Sequence, residues 1–385
     1  MNLVIDKNFI VSTLTELVRI NSVNPGLVPD GPGEVQIGRY VSDTLMALGF
    51  KPRIQELEPK RVNVAAGYKG TGNGPSLMWN GHMDTVGVEG MSDPFSGEVR
   101  DGRVYGRGAQ DMKGGIAAML GAFKALKDNG VRLKGDIVFA AAADEEHRSI
   151  GTEALVEEFK PDAAIVTEPT DLNVCVAHRG FVVFEIETRG RAAHGSAYTD
   201  GIDANMFMGL CLAELFKHSK DLLNQKGHPL LGPPSLHVPL VKGGTGLFVY
   251  SEKCKISVER RTLPGEGQEA LREEMEGILA RVSDKEEAFR ASLKPGLHRE
   301  AYEISSESEI VRLVWGTAQQ VLGKKPAFIG HPWWEDSALL AEKGTETVIF
   351  GPKGAGLHSH EEWVDIQSVV DLAEILVRVA VRFCG

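Results

Sequence analysis

Two histidines and a set of carboxylates, gathered in five short stretches, are the residues of this sequence best suited to chemistry. They are His82 with Asp84 in NGHMDT, Asp111 in GAQDMKGG, Glu145 with Glu146 in ADEEH, Glu168 in TEPT and His358 in GAGLHSHEEW. Imidazole nitrogen and carboxylate oxygen are borderline-to-hard donors and no thiolate accompanies them, so the set suits a pair of zinc-like divalent ions. Such ions activate water and polarise a carbonyl or phosphoryl oxygen, which makes metal-assisted hydrolysis the chemistry to expect.

Each stretch also has a bland reading. An isolated His-x-Asp pair is usually structural, and only its companions point to a metal; in their company Asp84 is placed to accept the second ring N–H of His82 and fix its tautomer. Asp111 follows a glycine-bearing turn, GRGAQD, and precedes a helix predicted from near Gly115. It is either a helix cap or, with its two oxygens, a bridge between cations about 3.5–4 Å apart. Adjacent acids at the end of a buried strand are costly unless a cation or proton offsets them. Neighbouring side chains diverge, so one of Glu145 and Glu146 can bind metal while the other acts as general base towards water. Glu168, held by Pro169, is the same sort of acid on another strand. Spacing leaves open the choice between His358 and His360, and His147, His218, His228, His237, His298 and His331 read as ordinary histidines outside a site.

These residues need a frame that gathers loops. Apolar residues at helical spacing predict two opening helices, one on Phe9, Ile10, Leu14, Leu17 and Val18, the next on Val35, Tyr40, Val41, Leu45 and Leu48, stopped by Gly49. Apolar runs at 62–66, 76–79, 137–143, 163–166 and 348–350, with a helix over 115–126 among them, predict an α/β domain on a mostly parallel sheet. The motifs fall at the carboxyl ends of these runs, where open sheets place their ligands. From residue 180 the pattern changes: 181–187 alternates, 204–216 is helical, 236–241 and 256–258 are strand-like, and 269–282 is helical. This predicts an inserted β-α-β-β-α-β layer, a ferredoxin-like α+β arrangement, with HSKDLLNQKGHPLLGPPS as its longest loop. Helices over 310–322, 337–342 and 366–383 return to the first domain, giving expected boundaries of 1–179, 180–295 and 296–385.

At 385 residues the chain exceeds one usual core. Its 42 Lys and Arg against 53 Asp and Glu, a balance of -11, give no basic footprint for nucleic acid or an anionic membrane surface. The longest uncharged apolar run, 137–143, is too short to cross a bilayer, and Asp6 and Lys7 stand where a signal peptide is apolar. A soluble cytoplasmic protein is the expectation. Cys175, Cys211, Cys254 and Cys384 are widely spaced with no CxxC, which predicts free thiols.

Together NGHMDTV, YGRGAQDMKGG, AADEEHRSIG, TEPT and GAGLHSHEEWV resemble the signature of the metallopeptidase family of acetylornithine deacetylase, succinyl-diaminopimelate desuccinylase, aminoacylases and glutamate carboxypeptidase. The likeness runs over nearly the whole chain. It implies a zinc-peptidase-like catalytic domain with an inserted lid and dimerisation domain. It also implies two divalent ions, zinc first with cobalt or manganese possible: His82, Asp111 and Glu168 on one, Asp111, Glu146 and His358 on the other. Glu145 matches the family's general base and Asp84 the acid that orients the first histidine. His358 rather than His360 matches the ligand, because the pattern places an acid and an aromatic four and five residues later, here Glu362 and Trp363.

The segment RAAHGSAYTDGIDA is similar to the lid motif whose histidine, here His194, reaches into the second subunit's active site, so a homodimer is implied. RRTLPGE puts Arg261 where the family holds a substrate carboxylate, a task a guanidinium fork suits. The chain departs from the pattern at Phe248, where many relatives carry a substrate-contacting asparagine, and at Tyr198, where proline is common. The implied activity is hydrolysis of the amide of an N-acyl amino acid, with cleavage of a short peptide, as a carboxypeptidase or dipeptidase, as the alternative. A two-metal phosphoesterase has less need of a carboxylate base beside the water. A dead binding protein would lack a ligand, whereas every ligand position is filled.

Overall fold

The computed structural model describes residues 3–385. The chain divides into two compact units, one of Met1–Val176, Ile304–Ile329 and Glu335–Gly385, the other of Ala177–Glu303 and Gly330–Trp334.

In the first unit the strands run in the spatial order Arg53–Glu58, Arg61–Tyr68, Ile137–Ala142, Leu77–His82, Ala163–Val166, Glu346–Ile349. The last four are mutually parallel; Arg61–Tyr68 pairs antiparallel with Ile137–Ala142, and Arg53–Glu58 pairs antiparallel with Arg61–Tyr68. Every residue of Leu77–His82 is buried, as a central strand covered on both faces requires. The strand runs on through His82, further than the apolar run predicts, because its ladder with Ile137–Ala142 continues to the His82↔Ala142 pair.

Helices Lys7–Arg19, Gly114–Asp128 and Ile366–Phe383 supply much of the cover. The first is capped by Asp6, which accepts from the Phe9 amide, and the last by Asp365, which accepts from that of Ser368. Gly114–Asp128 is buried nearly all round, and its small residues permit close approach: a Cβ on Gly121 would stand 2.5 Å from Ile10 Cγ1. Phe123 packs edge-on against Trp79, Phe139 and Phe50 at 5.5, 5.5 and 5.0 Å, the centre of the core. A small antiparallel sheet of Glu98–Arg100, Arg103–Tyr105, Trp363–Asp365 and Gly354–Ala355 ties the segment before Asp111 to the loop carrying His358.

The second unit is a four-stranded antiparallel sheet, in the order Ser235–Gly243, Lys253–Thr262, Gly180–Arg189, Ala291–Arg299, with helices Ala204–Leu223 and Gln268–Ser283. Val182, Phe184 and Ile186 alternate inward to meet Met208, Cys211, Leu215, Met275 and Ile278. The first helix extends six residues into the stretch that composition marks as loop, because Leu222 continues the buried stripe of Leu215 one further pair of turns before Gly227 and Pro229. All four cysteines are buried, and none forms a disulfide among the described residues. Among the described residues no helix is long and apolar enough to cross a membrane.

Candidate metal centre

Register brings the first group together. Asn80 pairs with Val166, so His82 and Glu168, each two residues further on, emerge at the same level of the sheet. His82 Nε2 lies 3.3 Å from Glu168 Oε1, 3.0 Å from Asp111 Oδ1 and 3.9 Å from Glu145 Oε2. Its other nitrogen, Nδ1, is 3.0 Å from the Asp84 backbone carbonyl and 3.5 Å from Asp84 Oδ1. A proton on Nδ1 satisfies Asp84 and leaves the Nε2 lone pair facing three carboxylates, the arrangement a cation or a second proton resolves.

The second group shares Asp111. His358 Nε2 is 3.3 Å from Asp111 Oδ2 and 3.2 Å from Glu146. Asp111 is not a helix cap; the helix starts at Gly114, and the Asp111 carboxylate points to the two histidines instead. His360 turns to Gly90. The ligand-type atoms of His82, Glu145 and Glu168, and those of His82, Asp111 and Glu146, lie within 4.8 Å of one another.

The electrostatics show what such crowding costs. Burial pushes the Glu145 carboxyl well above its ordinary range, and Glu168, Asp336 and Glu146 add to the shift while His82 opposes it. Burial likewise raises Glu146, and lifts Glu168 to about 8. The hydrogen bonds to Asp111 and Glu146 lift His358 to about 10. Burial opposes charge on both Asp111 and His82. The two imidazoles nevertheless hold Asp111 below the usual carboxylate range, and Glu168, Asp111 and Asp84 hold His82 well above the usual imidazole range. Four carboxylates, Asp111, Glu145, Glu146 and Glu168, carry four negative charges when ionised, which two divalent cations would match. The donor set therefore fits the two ions implied by the sequence.

Two supporting roles, the gripping of backbone amides by Glu362 and by Asp84, escape a reading of the sequence. Glu362 is buried and accepts from Arg107 Nη1 at 2.6 Å, and from the amides of Gly108, Gln110 and Asp111 at 3.0, 2.9 and 3.0 Å. It fixes the turn that presents Asp111, which begins with Gly108 at φ +81°. Its signal is an acid next to a short strand, opposite a glycine turn rich in free N–H groups. The Asp84 carboxylate accepts from the Glu145 and Glu146 amides at 3.1 and 3.2 Å and from Asn24 Nδ2 at 2.7 Å. Asp84 thus holds the backbone of both glutamates as well as facing His82.

The chain as a whole is similar to known proteins. Residues 78–382 match the family described as Peptidase family M20/M25/M40. The chain belongs to that family. It is 31% identical to an acetylornithine deacetylase of Myxococcus xanthus over 386 residues, covering 97% of both chains. It is 26% identical to an N-formyl-4-amino-5-aminomethyl-2-methylpyrimidine deformylase of Halalkalibacterium halodurans, covering 99% of this chain and 96% of the other. Among solved structures, the YXEP protein of Bacillus subtilis, described as a dinuclear metal binding peptidase of the M20 family, aligns with a TM-score of 0.76 at 18% identity, covering 98% and 99% of the two chains. The mixed α/β fold is that of M20 enzymes, and this family member is a hydrolytic enzyme.

His194, Phe248 and Arg261, also singled out in the sequence, belong to the second unit. His194 is exposed, with Nδ1 2.8 Å from Ser196 Oγ. Its segment runs beside Phe248: the Gly195 amide donates to the Phe248 carbonyl at 2.8 Å, and the Tyr250 amide to that of Ala193 at 3.0 Å. Phe248 is 74% exposed, an unusual fate for a phenyl ring. Arg261 pairs with Glu259 and lies 5.2 Å over the Phe181 ring.

Proposed function

We infer that this M20 hydrolase is a two-metal amidohydrolase that removes the acyl group from an N-acyl amino acid. The observation that carries the reading is the Asp111 carboxylate, one oxygen turned to each of two imidazole and carboxylate groups. His82, Asp111 and Glu168 would hold one ion, and Asp111, Glu146 and His358 the other, with zinc first and cobalt or manganese as alternatives. When bound, the ions supply polarisation of the amide carbonyl and a water acidic enough to ionise near neutral pH.

The chain's own residues do the rest. His358 pairs with Glu146 at 3.2 Å, whereas Glu145 Oε2 lies 3.9 Å from His82 Nε2, which favours Glu146 as the ligand and Glu145 as the base towards water. Glu145 takes a proton from that water as the water oxygen bonds to the acyl carbon. As the C–N bond breaks it gives the proton to the departing amine nitrogen, so that water and amide become a carboxylic acid and an amine. Asp84 keeps His82 in one tautomer and holds the Glu145 backbone. His194 of a second copy donates to the carbonyl oxygen as charge develops there. A homodimer is supported by the exposed Leu240 and Val241 on the edge strand Ser235–Gly243 and by Met206 and Leu210 on the helix beside it. Arg261 reads the substrate carboxylate, displacing Glu259, and Phe248 meets its apolar part.

Two relatives named for releasing an acetyl or a formyl group favour deacylation; the solved neighbour described as a peptidase favours a short peptide as the second reading. A screen of N-acetyl, N-formyl, N-succinyl and longer N-acyl amino acids beside dipeptides, each with its carboxylate free and amidated, separates the two. The expected result is turnover of an N-acyl amino acid that drops sharply on amidation and is insensitive to it in Arg261→Met. Turnover of dipeptides alone would transfer the assignment to the second reading.

A further inference from the structure

Beneath the two glutamates lies a buried polar array that no metal role explains. Asn24, Glu34, Asp84 and Asp144 are fully buried, and Arg61 is 3% exposed. Asn24 Nδ2 donates to Asp84 Oδ2 at 2.7 Å and to Asp144 Oδ1 at 3.0 Å. Arg61 Nη2 donates to the same Asp144 oxygen at 2.7 Å and to Asn24 Oδ1, while Nη1 donates to Glu34. The segment that carries Asn24 is pinned alongside Asp84, since the Thr85 amide donates to the Ser22 carbonyl and the Asn24 amide to that of Thr85, at 3.1 and 2.9 Å.

Asp144 immediately precedes Glu145, and Asp84 accepts from the amides of Glu145 and Glu146. Asn24 therefore grips the glutamate pair twice, through the residue before it and through the acceptor of its amides. Arg61 supplies the positive charge and fixes the Asn24 amide, because a guanidinium bonded to Oδ1 obliges Nδ2 to face the two acids. A residue needed only for solubility or packing has no reason to be buried with its amide spent on two carboxylates.

We propose that Asn24 and Arg61 are positioning residues that hold the Glu145–Glu146 backbone in register with His82 and Asp111, and so set the base and one metal ligand at once. The importance of that register rests on the two-metal reading above; the brace itself does not. Partners of this outer kind are worth about 10–100-fold in metal affinity or activity.

The experiment compares the parent with Asn24→Ala, Asn24→Ser, Arg61→Met and Arg61→Lys in two measurements. Hydrogen exchange of the metal-free proteins, read on peptides spanning 143–148, needs neither substrate nor ion. Cobalt affinity is measured by calorimetry on the same samples. Asn24→Ala and Arg61→Met should speed exchange of the Glu145 and Glu146 amides about tenfold or more relative to peptides from the core strands, and weaken cobalt binding about 10–100-fold, with partial recovery in Asn24→Ser and Arg61→Lys. Should the harsher variants fail to fold, the two milder ones carry the same comparison. Exchange at 143–148 that rises no more than in the core strands would overturn the brace. Faster exchange with parental cobalt affinity would overturn the claim that the brace sets the metal ligand. A parent that binds no cobalt would sink the two-metal reading instead, leaving the exchange comparison to decide on the brace alone.

Discussion

Asp111 turns one carboxylate oxygen to His82, with Oδ1 3.0 Å from Nε2, and the other to His358, with Oδ2 3.3 Å from Nε2. The two histidines come from opposite ends of the chain, and a single side chain makes one centre of them. Glu362 maintains that relationship from the His358 side, since its two oxygens take the amides of Gly108, Gln110 and Asp111.

Glu362 should therefore matter for metal as well as for stability. Glu362→Gln retains the shape but weakens charge-assisted bonds to three amides and Arg107, so metal affinity is expected to fall about 10–100-fold while the protein remains folded. Glu362→Ala should lose more, because Arg107 is left as a buried charge without its carboxylate. Circular dichroism and metal titration check both; parental affinity in Glu362→Ala would show that the turn holds itself.

Base and ligand should separate at the adjacent glutamates. Glu145→Gln is expected to retain both ions and lose about 10²–10⁴-fold in kcat, whereas Glu146→Gln should lose affinity for one ion too. Comparable kcat in Glu145→Gln and the parent would remove it from the mechanism.

How much of this was legible in the sequence follows from where the chemistry resides. His82, Asp111, Glu145, Glu146, Glu168 and His358 are each flanked by apolar runs or glycine turns, and the strand periodicity places them at one end of a sheet. Asn24, Arg61 and Glu362 carry no such mark. Glu362 meets the Asp111 amide across 251 residues, a contact made by tertiary packing rather than local pattern. The helix at 218–223 was obscured for a related reason: its polar residues face outward, and only Leu222 betrays the buried stripe.

The metal-free protein should lose stability as pH rises from about 5 to 7. Burial raises Glu168 and Glu34 to about 8 and Asp336 to about 7, each from an ordinary value near 4 to 4.5. In that window the folded chain holds protons that the unfolded chain has released, so unfolding is favoured as pH climbs. Above about 7 the buried Lys113, lowered to about 7, works the other way because the fold favours its neutral form. It is opposed by His358, lifted to about 10, and by His82, which hold protons in the folded chain that the unfolded chain has released. Melting temperatures of chelated protein across pH 5–7 should fall, and saturating zinc should flatten the curve, since ions replace the protons at Glu168. A chelated protein that grows more stable from pH 5 to 7 would contradict the crowding of acids.

If His194 acts in a second copy's site, mixing inactive His194→Ala with inactive Glu145→Gln should restore activity, because one site of a mixed dimer has both residues intact. Confirmed subunit exchange with no recovery would confine His194 to its own chain.

The bridge is tested most directly by counting ions. Elemental analysis of protein loaded with zinc and desalted should give two ions per parent chain, and Asp111→Asn should lose both together, because each group depends on one of its oxygens. A parent with no bound metal, or an Asp111→Asn protein that still holds two ions, would contradict the account.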